Sequence, residues 1–100
     1  MKLRELAHSR TGDKGDVINI SVIAFDERDY ARLAAQVTVE RVREVYAGVV
    51  RGEIVRYEVP SIAALNFVLH DALDGGVSRS LRLDAHGKTL GSLLLDLEIA

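Results

Sequence analysis

The residues best suited to chemistry crowd into one short stretch, "HSRTGDKGD", running from His8 to Asp16. It holds two glycines, two aspartates, two basic groups, two hydroxyls and a histidine, and the apolar "VINISVIAF" follows directly. Gly12, Asp13, Lys14 and Gly15 read as a tight turn. Converging backbone N–H groups and a lysine in such a turn could cradle a phosphate or carboxylate. The established phosphate loops do not fit. GxxxxGK[ST] and GxGxxG are both absent, and the next element reads as a strand where those motifs need a helix. The competing reading is a plain polar connection with glycines supplying positive φ.

A second group of polar residues interrupts apolar elements. Asn19 and Ser21 share one face of the strand "VINISVIAF" and must find hydrogen-bond partners, inside the protein or on a ligand. Asn66 and His70 stand four residues apart in a segment read as helical, which places them on one face. With His8 or Arg10 nearby they would form a polar cluster. The alternative is internal satisfaction, with Asn19 bonding the turn and His70 capping the helix. In "GGVSRSLR", Ser78, Arg79, Ser80 and Arg82 follow Gly75 and Gly76. An arginine just beyond such a turn suits carboxylate or phosphate recognition. A charged edge strand explains the same pattern.

Catalytic patterns are sparse. Asp13 and His70 are the candidate acid/base groups, since a carboxylate or imidazole can move a proton when suitably placed. His8, His70 and His86 show no ligand-like spacing, and neither HExxH nor GxSxG occurs, so no metal, cofactor or hydrolase triad is expected. The formal net charge of −2, with acids and bases interleaved, argues against nucleic acid. There are no cysteines, which excludes disulfides. No segment approaches the roughly 20 apolar residues of a membrane span, and no signal peptide is legible. A cytoplasmic protein without membrane contact is expected.

These residues need a scaffold. The chain has 100 residues, 48% of them hydrophobic, enough for one domain spanning 1–100. "KLRELAHS" reads as a first strand and "VINISVIAF" as a central one. "DERDYARLAAQ" reads as a helix, and Thr38 caps a second, "VERVREVYA", that Gly48 ends. "EIVRYEV" alternates as a strand. Pro60 and Ser61 then open a helix "IAALNFVLHDAL" with Ile62, Leu65, Leu69 and Ala72 as its stripe. Phe67 and Val68 lie off that stripe, which points to burial against another chain and hence a homo-oligomer. "VSRSLRLD" and "TLGSLLLDLEI", with Leu93, Leu95, Leu97 and Ile99 inward, read as a closing hairpin. The order β-β-α-β-α-β-β predicts a two-layer α+β domain. It would have a ferredoxin-like mixed or antiparallel sheet of about five strands, with helices on one face.

The stretches "RTGDKGDVINISVIA", "VTVERV", "VRYEVPS", "ALNFVLHDALDGGVSRSLRLDAHGKTLG" and "LLDLEI" together resemble the C-terminal ferredoxin-fold domain of the acyclic terpene utilisation (AtuA) family. Thr11 stands where serine is expected and Asp16 where asparagine is common. The resemblance implies a ferredoxin-like fold and a place in bacterial breakdown of acyclic terpenes or branched acyl-CoA compounds. In that family the domain usually follows a much larger one, so a chain opening on Met1 is expected to act as the separate partner of a larger AtuA-type subunit. Residues matching the pattern are Arg10, Gly12, Asp13, Lys14, Gly15, Asn19, Asn66, His70, Gly75, Gly76, Ser78, Arg79 and Arg82. On this reading Arg79 and Lys14 hold an anionic group such as that of an acyl-CoA. The Gly12–Gly15 backbone donates to it, and Asn66 with His70 completes a polar wall. The alternatives are a small hydratase or lyase on an acyl thioester, using Asp13 or His70, and a structural oligomerisation module.

Overall fold

A computed structural model describes residues 1–14, 17–48, 50–72 and 88–100. Its elements are β1 (Ala7–Lys14), β2 (Val17–Ala24), α1 (Tyr30–Gln36), α2 (Val39–Val45), β3 (Ile54–Val59), β4 (Ala64–Leu69) and α3 (Lys88–Leu95). Short 3-10 turns at Leu3–Glu5, Glu27–Asp29 and Pro60–Ile62 join them. The strands form one sheet in the order β1-β2-β4-β3, each neighbour antiparallel. β2, the α1–α2 crossover, β3 and β4 follow a ferredoxin-like path, with β2 and β3 flanking β4. β1 pairs beside β2, where that fold ordinarily puts its last strand.

Alternation decides which sheet face is inside. Ile18, Ile20 and Val22 of β2 are buried, as are Leu65, Phe67 and Leu69 of β4, and they meet Leu33, Val37, Val42, Tyr46 and Leu94 of the helical layer. Side chains two apart in a strand share a face, so the intervening Asn19, Ser21, Asn66 and Val68 turn to the opposite side. No described helix packs there.

The helices are fixed by specific polar contacts. Thr38 caps α2, its Oγ1 accepting from the Arg41 N–H at 3.2 Å. Gly48, at φ +85°, supplies the left-handed residue after α2. Arg56 reaches from β3 to donate to the carbonyls of Ala34 (2.7 Å) and Val37 (3.0 Å) at the C-terminal end of α1. Burial pushes the Tyr46 phenol up, and its hydrogen bond to the Leu94 backbone joins α2 to α3. α3 lies close on β1 because Gly91 has no side chain: a Cβ there would sit 2.7 Å from Ser9 Oγ.

Several expected elements take another form. "HSRTGDK" is not a connection but the body of β1, while Leu3–Glu5 ahead of it is a 3-10 turn. Small and polar residues suit an edge strand, which faces water on one side and along one margin. The segment read as the helix "IAALNFVLHDAL" contains β4 instead. Leu65 and Leu69 satisfy both the helical and the strand period, but Phe67, fully buried, satisfies only the latter. Pro60 begins a 3-10 turn that Ala63 ends at φ 54°. Phe67 thus belongs to this chain's own core, and only Val68 of the pair faces outward. "TLGSLLL" is helical, so Leu94 is buried and Leu93 is 40% exposed, the reverse of the strand reading. The described residues therefore hold four strands where about five were expected. "VSRSLRLD" falls outside them.

Candidate functional site

The sheet face that no described helix covers is built row by row. Arg10 stands opposite Ser21, Ser21 opposite Asn66, and Asn66 opposite Tyr57. With strands about 4.8 Å apart, this row crosses the sheet in roughly 14 Å. At its centre Ser21 Oγ donates to Asn66 Oδ1 at 3.1 Å. That bond uses the amide oxygen, and the Asn66 amide N–H₂ has no partner among the described residues. Ile23, Val55, Val59 and Val68 are half-buried around the row, while Tyr57 is 53% exposed. The face is aliphatic with a polar line through it.

The next row sets Gly12 opposite Asn19, and Asn19 opposite Val68. Gly12 is extended, not turned, and a Cβ built on it meets nothing within 4 Å. Its effect is to leave the exposed Asn19 uncovered. Arg10 is exposed and makes no hydrogen bond or ion pair among the described residues. The structure therefore brings Arg10, Gly12, Asn19 and Asn66 onto one face, with Ser21 between them.

The remaining expected site residues are placed differently. Asp13 and Lys14 occupy register positions opposite Ile18 and Val17 at the end of β1. His70 follows β4, exposed, with its N–H donating to the Glu53 carbonyl at 2.9 Å and its carbonyl accepting from Gly52 at 3.1 Å. Asn66 and His70 are four residues apart in extended chain, about 13 Å, not the single helical turn the sequence suggested. Gly15, Gly75, Gly76, Ser78, Arg79 and Arg82 lie outside the described residues.

A second feature escaped the sequence reading. A groove of about 580 Å³ runs along the margin of β1, lined by His8, Ser9, Arg10 and Thr11 on the strand and Gly91, Ser92 and Leu95 on α3. The signal was "LGS", where small residues inside a leucine run let a helix approach a strand of small residues. At one end the His8 ring stacks on Phe25, with centroids 5.5 Å apart and planes 18° from parallel.

None of the carboxylates with clear shifts, Asp26, Asp96 and Glu98, is among the residues lining the groove or the polar row. Arg28 holds Asp26 down to about 2, chiefly by side-chain hydrogen bonding. A hydrogen bond from Arg4 lowers Asp96. Among the described residues no three histidine or carboxylate groups gather as a metal would need, and no helix is long and apolar enough to cross a membrane.

A family model described as the AtuA ferredoxin-like domain matches residues 1–100. No curated protein and no solved structure gives a significant match. The chain belongs to the AtuA ferredoxin-like domain family.

Proposed function

We propose that this AtuA-type domain is an accessory or binding subunit, the partner of a larger AtuA-type subunit in bacterial catabolism of acyclic terpenes or branched acyl-CoA compounds. Its role is to bind, and the chemistry belongs to the larger subunit. The observation that carries this reading is the sheet face that no described helix covers, where a Ser21–Asn66 hydrogen bond and an Arg10 with no partner among the described residues cross a half-buried aliphatic surface. An acyl compound has the matching character, an apolar body with a polar or anionic head. Arg10 meets the anion, the amides of Asn19 and Asn66 hydrogen-bond its polar atoms, and Val68 and Val55 take the chain. Lys14 and Arg79 are proposed as further cations for the same anion.

Two measurements test this. Affinity purification of the tagged chain from its native host should carry a larger AtuA-type subunit with it. Calorimetric titration with a branched acyl-CoA should show binding that weakens at least tenfold in Arg10→Glu. Recovery of the chain alone, together with no acyl-CoA binding, refutes the reading.

A further inference from the structure

We propose that Phe25 and Ile62 form a docking notch for a segment of a partner protein that carries leucine-like side chains flanked by lysine or arginine. The proposal deepens the accessory-subunit reading and rests on it: the segment belongs to the larger subunit.

Phe25 is 65% exposed and Ile62 is 61% exposed, more than any other large apolar side chain among the described residues. Both line one hollow of about 400 Å³. Phe25, Asp26 and Glu27 form one wall, where β2 ends, and Ser61, Ile62 and Ala63 form the other, where β4 begins. Apolar side chains that cluster in the open, rimmed by polar groups, mark a surface that another molecule covers. The notch sits at the end of the sheet where Ile23 pairs with Ala64. β4 then carries the chain to Leu69, about 17 Å away.

The walls are held in place before anything binds. The Ala24 N–H donates to the Ala63 carbonyl at 3.0 Å, and the Phe25 N–H to the Leu6 carbonyl at 2.9 Å. The His8 ring stacks on Phe25. Pro60 opens the 3-10 turn with a fixed φ, and Ala63 closes it in the left-handed region at φ 54°. That turn leaves Ile62 outside while Ala63, the next residue, is 6% exposed. A notch set in this way loses little freedom when it is filled.

Charge selects the occupant. Asp26 and Glu27 line the notch and no basic residue does. Arg28 pairs with Asp26 at 2.7 Å, so Glu27, exposed and without an ion pair among the described residues, supplies the unbalanced charge. An anionic acyl compound is repelled there. A second copy set notch to notch about a two-fold would bring Glu27 against Glu27. A basic segment with an apolar centre meets both the side chains and the charge.

The test uses the full chain, ¹⁵N-labelled and ¹³C-labelled at isoleucine methyls, with the synthetic peptide acetyl-GKLLKG-amide. Expected are shifts at the Ile62 methyls and at the Phe25 and Glu27 amides. The counterparts acetyl-GELLEG-amide and acetyl-GKAAKG-amide should each bind at least tenfold more weakly. Ile62→Ser and Glu27→Lys alter exposed side chains and should leave the remaining spectrum in place. The first should weaken the lysine peptide at least fivefold, and the second should reverse the preference toward the glutamate peptide. Equal binding of the glutamate peptide, no shift at Ile62 at millimolar lysine peptide, or self-association through Ile62 overturns the proposal. The two readings fail separately. A larger subunit captured equally well by Ile62→Ser removes the notch and keeps the accessory role. Peptide binding at Ile62 with no subunit captured does the opposite.

Discussion

Arg56 shows how one side chain decides whether a strand and a helix stay together. Its side chain is 19% exposed, and its guanidinium donates to two carbonyls at the end of α1 while pairing with Glu58 at 2.8 Å. Hydrogen bonds to a charged group contribute about 1.5–3 kcal/mol, so Arg56→Ala should lose roughly 2–3 kcal/mol in urea unfolding. Glu58→Ala should lose less than about 1 kcal/mol, because that carboxylate is solvated and the pair is screened. Tyr30 presents the opposite case. Its hydroxyl is buried with no hydrogen-bond partner among the described residues. Tyr30→Phe removes a desolvated group and leaves the ring in place. The same unfolding experiment should find it neutral or stabilising by up to about 1 kcal/mol.

The elements depend on close approaches that the residue types permit. A Cβ at Gly52 would lie 2.7 Å from the His70 carbonyl oxygen, a backbone atom held in the bond between the start of β3 and the end of β4. Gly52→Ala should therefore cost about 1–3 kcal/mol, measured as a lowered urea midpoint at unchanged slope. At this scale the limits of the sequence also become clear. β2, β3 and α2 were legible because Ile18, Ile20 and Val22, then Val55, Tyr57 and Val59, and Thr38 with Val42, each fit one period. β4 was not, since Leu65 and Leu69 fit two periods and Pro60 mimics a helix start. Phe67 carried the answer: an aromatic off the supposed helical stripe is on the inner face of a strand. Likewise "TLGSLLL" alternates well enough for a strand, and only its packing on Ser9 and Thr11 makes Gly91 informative. The shared face of Asn19 and Ser21 was readable from alternation alone. That Asn66 joins it depended on strand pairing, which local sequence does not encode.

For the whole molecule, the surface ion pairs contribute to its acid response. Asp26, lowered to about 2, and Asp96, also lowered, have folded pKa values below their unfolded ones. Their stabilisation is complete above the ordinary carboxylate range near pH 4 and disappears as pH falls toward about 2. Calorimetric melting temperatures should be level from pH 7 to about 5 and then decline. Asp26→Asn, which keeps an oxygen for the Arg28 N–H, should decline less. The organisation of the molecule follows from its two uneven sides. One sheet face is covered by helices. The other carries the Arg10, Ser21 and Asn66 row, and β1 borders both that face and the groove. A domain arranged this way is suited to holding something against its sheet, which is the central claim. Affinity purification of the tagged chain from its native host, followed by native mass spectrometry, tests it most directly. The predicted result is a defined complex with a larger AtuA-type subunit; recovery of the chain with no such subunit bound would contradict it.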